Sequence, residues 1–188
     1  GALALAIKYD RGVVLASVSK AKSPLVRDVT TKKITQVTDR VAIIYAGLGA
    51  DSRVLTSQAQ KSCLQYSEKF GENSRMPISV LVSDVASVMQ EYTQRAGVRP
   101  FGVTLLVAGS GSESVHLYCI DPSGRYSPWK AMAIGKGSSD ASILLEQQFR
   151  ENMDRNEAVE LAISVSLSCA EGNATRDDVD MLLIEGRA

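Results

Sequence analysis

KITQVTDRVAIIYAGLGADSRVL, residues 33–55, holds a strand pair and the start of a helix with a three-residue break between them. Lys33 to Val37 and Val41 to Ala46 form the pair, joined by the turn Thr38-Asp39-Arg40. Val41-Ala42-Ile43-Ile44-Tyr45 is apolar without alternation, which predicts a strand buried on both faces. Gly47-Leu48-Gly49 breaks the strand. Asp51 or Ser52 can then cap a helix by accepting an orphan amide at its start.

Upstream, Ala4 to Ile7 and Val13 to Val18 make another hairpin around Tyr9-Asp10-Arg11-Gly12, with no helix before the second pair. Downstream, the helix runs to about Phe70, with Val54, Leu55, Ala59, Cys63, Tyr66 and Phe70 near one face. After a loop at Gly71 to Arg75, Pro77 suits the first turn of a second helix. Its apolar stripe is Ile78, Leu81, Val82, Val85, Val88, Met89 and Tyr92, a helical spacing throughout. Strands at Phe101 to Ala108 and Val115 to Ile120 follow, then the turn Asp121-Pro122-Ser123-Gly124 and a strand around Tyr126 to Ile134. Helices at about Ser138 to Asn152, capped by Ser138 or Ser139, and Glu157 to Ala170 precede a last strand at Val179 to Ile184.

The order is ββββ, αα, βββ, αα, β. Consecutive strands followed by consecutive helices do not build a parallel βαβ sheet. They predict an α+β fold: a four-layer αββα sandwich, with two stacked, mainly antiparallel sheets and a helix pair on each outer face. Strands apolar on both sides follow, because each sheet then has a sheet on one face and helices on the other. The whole chain, residues 1–188, reads as one domain.

Lys+Arg and Asp+Glu are both 21, so no long-range field draws the chain to nucleic acid or an anionic membrane. No apolar run approaches the roughly 20 residues of a membrane span, and no signal peptide is visible. Cys63, Cys119 and Cys169 form no CxxC and are odd in number, which predicts buried free thiols in a reducing compartment. There the Asn173-Ala174-Thr175 acceptor pattern carries no glycan.

Chemical motifs are sparse. His116 is the only histidine and reads as a strand residue; there is no GxSxG, HExxH or EF-hand pattern. Gly135-Lys136-Gly137-Ser138-Ser139-Asp140 lacks phosphate-loop spacing and reads as the approach to a helix start. Lys32-Lys33 reads, on composition alone, as solvated charge at a strand start.

Specific blocks run along nearly the whole chain. They are Gly12-Val13-Val14-Leu15-Ala16, Lys33-Ile34, Tyr45-Ala46-Gly47-Leu48 with Asp51-Ser52-Arg53-Val54-Leu55, Gln90-Glu91-Tyr92-Thr93-Gln94, Arg99-Pro100-Phe101-Gly102-Val103, Asp121-Pro122-Ser123-Gly124 and Trp129-Lys130-Ala131. With them the chain resembles the N-terminal-nucleophile hydrolases and, among these, the α-type subunits of the 20S proteasome. The Gln90–Gln94 block before Gly97-Val98-Arg99 looks most like one particular α type.

In catalytic members of that family a threonine opens the first strand, its free amine acting as base and its hydroxyl as nucleophile. Aligned through Gly12–Ala16, that place falls on Ala2, behind Gly1, and the acidic partner's place falls on Val18. Lys33 alone is retained. The resemblance therefore implies no catalytic residue and no cofactor. It implies a non-catalytic structural subunit of a heptameric α ring that controls substrate entry. Its partners are neighbouring α subunits, the β ring, and activators such as the ATPase regulatory particle, in the cytoplasm and nucleus. The first helix pair would face the β ring. Lys33, Gly47 and Leu48 match the pocket that takes an activator's C-terminus, the lysine receiving its carboxylate. The family's N-terminal gating extension is absent from this chain. Two other readings stand beside this one: an active N-terminal-nucleophile peptidase subunit using Thr30 or Thr31, and a stand-alone binding domain.

Overall fold

A computed structural model describes residues 1–19, 32–111 and 114–186. These form β1 (Ala4–Tyr9), β2 (Gly12–Val18), β3 (Ile34–Thr38), β4 (Val41–Gly47), α1 (Gly49–Phe70), α2 (Ile78–Gln94), β5 (Val103–Ser110), β6 (Val115–Ile120), β7 (Tyr126–Pro128), β8 (Ala131–Ile134), α3 (Ser138–Gln148), α4 (Arg155–Cys169) and β9 (Val179–Glu185), with one 3-10 turn at Arg176–Asp178.

Two sheets result, ordered β8-β1-β2-β9 and β3-β4-β5-β6-β7, with antiparallel pairing throughout. The period of two in a strand sorts the side chains into layers. On β4, Val41, Ile43 and Tyr45 turn outward to meet Leu55 and Ala59 of α1 and Leu81, Val82 and Met89 of α2. Ala42, Ile44 and Ala46 turn inward to meet Ala4, Ala6, Val13 and Leu15 of the other sheet. Leu5, Ile7, Val14 and Ala16 face the opposite way, toward Leu145 of α3 and Leu161 and Val165 of α4. The sandwich is therefore αββα, and the doubly apolar strands have the predicted cause. The inter-sheet face is rich in alanine, which lets the two sheets approach closely.

The sequence reading needs several local corrections. The strand expected from Tyr126 to Ile134 is two strands in different sheets: β7 pairs with β6, and β8 with β1. Pro128 has no amide to donate, so the edge ladder ends there. The chain then crosses between sheets, with Trp129 N–H still on Leu117 O (2.9 Å) and Lys130 O already accepting from Lys8 N–H (2.8 Å). Helix α1 begins at Gly49 after Leu48, so neither Asp51 nor Ser52 caps it. On α1, Leu55 and Ala59 are buried, but Val54 and Phe70 lie on the exposed side. Helix α3 follows Gly137 in the left-handed region without a serine cap, and it stops at Gln148. Helix α4 starts at Arg155 under a reciprocal cap: Glu157 N–H donates to Asp154 Oδ1 (2.8 Å), and Asp154 N–H to Glu157 Oε2 (2.9 Å).

All three cysteines are free; Cys119 is buried, and Cys63 and Cys169 are half-buried. Burial is the main force that pushes the Cys119 thiol up to about 11. No helix among the described residues is long and apolar enough to cross a membrane.

Candidate functional site

The candidate residues gather at the head of β1, where four connections meet. Residues 1 and 2 enter β1, Lys33 precedes β3, Gly47 and Leu48 join β4 to α1, and Gly135 and Lys136 join β8 to α3. Backbones approach here more closely than side chains allow. A Cβ on Gly1 would run into the Gly47 nitrogen, and one on Gly135 would lie 2.6 Å from Ala2 O. Lys136 N–H closes the contact on Gly1 O at 2.9 Å.

Lys33 reaches this point from the start of β3. Its Nζ donates to Ala2 O at 2.8 Å and stands 5.8 Å from the centroid of the Tyr45 ring. A lysine that sequence alone reads as solvated charge is therefore half-buried, with its ammonium engaged by a backbone carbonyl. On its outer side a cleft of about 450 Å³ opens between the two edge strands, lined by Lys32 to Gln36 and by Asp180, Met181 and Leu182. Lys33 and Gly47 thus both border the backbone of residues 1 and 2. Leu48 borders the 99–102 loop instead; neither it nor Gly47 lines the cleft beside Lys33.

Gly47 has φ +124°, and a Cβ there would strike Gly102 O. The same carbonyl accepts from Leu48 N–H at 2.9 Å, while the Leu48 side chain is 51% exposed. Reasoning from the sequence gives Arg99 and Gly102 no role at the site and reads Asp51 only as a candidate helix cap. Asp51, in the first turn of α1, takes a fork from Arg99 (Nη1 to Oδ2 2.7 Å, Nη2 to Oδ1 2.8 Å) and a bond from Gly102 N–H (2.8 Å). The Arg99 fork holds its carboxyl below the usual carboxylate range, against the opposing push of burial; the Gly102 amide adds to the lowering. The signal available in the sequence was an acid inside the first helical turn paired with an arginine just before a strand, but their separation of 48 residues hides it.

Chemically, this head of β1 carries the methyl of Ala2 where an attacking group is expected, and Val18 at the acidic place. Ala2 is exposed and carries no group able to attack a carbonyl. Thr30 and Thr31, the other candidates, lie outside the described residues. Among the described residues, no cluster of histidine, cysteine or acidic side chains could hold a metal ion.

Comparison with known proteins gives the family of the chain. The family model described as "Proteasome subunit" matches residues 1–184. Proteasome subunit alpha type-2 of Trypanosoma brucei brucei is 41% identical over 188 residues, covering 100% of this chain and 80% of the relative. The alpha type-2 subunit of Saccharomyces cerevisiae is 40% identical over 186 residues, 98% of this chain and 74% of that one. Alpha type-2-A of Arabidopsis thaliana is 40% identical over 181 residues, 96% and 76%.

Proposed function

Because the chain belongs to the proteasome subunit family and resembles its α type-2 members, we propose that it is a non-catalytic structural subunit of the 20S α ring. It narrows the entry of substrate chains and presents a docking rim to activators. The observation that carries this reading is the head of β1. Acyl transfer by an N-terminal nucleophile needs a hydroxyl or thiol there, beside a liberated amine. This chain places Ala2 at that point, with Lys33 spent on the Ala2 carbonyl oxygen rather than on a nucleophile.

Its partners are the neighbouring α subunits of a heptameric ring, the β ring beneath them, and the ATPase regulatory particle or other activators, in the cytoplasm and nucleus. Helices α1 and α2 face the β ring. Lys33, Gly47 and Leu48 form this chain's share of a pocket completed by a neighbour. Lys33 supplies a compact ammonium, a point charge suited to a carboxylate. Leu48 supplies an exposed apolar wall for a hydrophobic tail residue.

The test is Lys33→Ala in the full-length chain within an assembled ring. Binding of a peptide ending in hydrophobic-Tyr-any should weaken by about 1.5–3 kcal/mol, the worth of a charge-assisted contact. Unchanged affinity removes Lys33 from the site.

A further inference from the structure

A carboxylate on a side chain only 11% exposed is costly unless several donors face it. Asp51 has three: both terminal nitrogens of Arg99 and the Gly102 amide, all within 2.8 Å. On its other side the Gly102 peptide faces the docking rim. Its carbonyl accepts Leu48 N–H and lies against Gly47 so closely that no Cβ fits. A Cβ on Gly102 itself would lie 2.8 Å from Leu48 Cδ1. One glycine thus templates both Gly47 and Leu48, and Asp51 holds that glycine in place.

We infer that Asp51 and Arg99 are positioning residues of the docking rim: their fork fixes the 99–102 loop, and the loop sets the backbone of Gly47 and the outward display of Leu48. This rests on the reading of Gly47 and Leu48 as docking residues. Arg99 acts on Gly47 and Leu48 through Asp51 and Gly102. The fork geometry matters because a planar guanidinium meets both carboxylate oxygens at once, which a lysine cannot do. A rim held in one arrangement before the ligand arrives spares the ordering cost on binding.

The experiment uses assembled 20S particles carrying the full-length chain, a fluorescent peptide ending in hydrophobic-Tyr-any, and hydrogen exchange read at single amides. Asp51→Asn keeps an acceptor for Gly102 N–H but loses the ionic fork. It is expected to weaken the peptide on the order of tenfold, as the loss of a charged hydrogen bond does. The Leu48 amide should exchange faster, with particle assembly unchanged. Arg99→Lys should behave likewise. Gly102→Ala leaves Asp51 and Arg99 paired but displaces Leu48, and should also weaken the peptide; it keeps the inference testable where Asp51→Asn does not assemble.

Lys33→Ala is run beside them. If Lys33→Ala weakens the peptide while Asp51→Asn leaves both affinity and Leu48 exchange unchanged, the positioning inference is overturned and the docking reading stands. If Lys33→Ala and Gly102→Ala both leave affinity unchanged, the docking reading falls and takes the inference with it.

Discussion

Lys33 donates from Nζ to the carbonyl oxygen of Ala2 at 2.8 Å, so a side chain from the start of β3 is fastened to the backbone at the head of β1. The bond ties the two sheets together at one corner, since β1 and β3 belong to different sheets. Lys33→Met keeps the aliphatic stem and removes the donor. The Lys136 amide, which donates to Gly1 O, should then exchange faster. The Lys8 amide, on Lys130 O in the same sheet, should be unaffected. Equal exchange at both amides would mean that Lys33 does not hold this corner.

The Asp51 carboxyl lies below its unfolded value, so its sign is that of a depressed acid. Between the folded and unfolded values the unfolded chain binds more protons, and stability rises with pH there. The contribution is complete above the ordinary carboxylate pKa of about 3.9 and is lost as pH falls through the depressed value. Urea unfolding of the full chain across that acid window should therefore show a shallower pH dependence in Asp51→Asn than in the unmodified protein. Parallel curves would place the dependence on other carboxylates.

Packing between the sheets should dominate stability. Leu106, on β5, is wholly buried between them, whereas Ile143 on α3 is 53% exposed. Leu106→Ala should cost about 2–5 kcal/mol by lost burial and a residual cavity. Ile143→Ala should stay within about 0.5 kcal/mol. Denaturant titration of the two variants checks the contrast.

Caps separate the two outer helices. Asp154→Ala removes the side-chain half of a reciprocal cap and should cost about 1 kcal/mol. Ser138→Ala and Ser139→Ala should change little, because α3 is entered through Gly137 with no side-chain cap. A shift in melting temperature for Asp154→Ala alone is the expected result.

Much of this architecture is legible in local pattern. Val41 to Ala46 is apolar on both parities because Ile43 faces helices and Ile44 faces the other sheet, and composition records that without any tertiary information. The stripe of α2 is equally plain, with Leu81, Val82, Val85 and Met89 all buried. What local pattern could not supply depends on partners distant in sequence. The run Tyr126 to Ile134 looks continuous because both halves are extended; only pairing with β6 and β1 reveals the change of sheet. Asp51 resembles a cap because it is an acid near a helix start, but its partners are Arg99 and Gly102. Asp154 and Glu157, three apart, did carry a readable capping signature, and the helix start expected at Glu157 lies two residues late. At the site, resemblance brought together Lys33, Gly47 and Leu48, while the Gly102 peptide beneath them is visible only in three dimensions.

The most direct measurement is the intact mass of this chain after assembled 20S particles are treated with an epoxyketone that reacts with an N-terminal threonine. Catalytic β subunits in the same sample should gain one probe each, and this chain, with Ala2 at the head of β1, should keep its mass. A gain of one probe on this chain would contradict its assignment as a non-catalytic subunit.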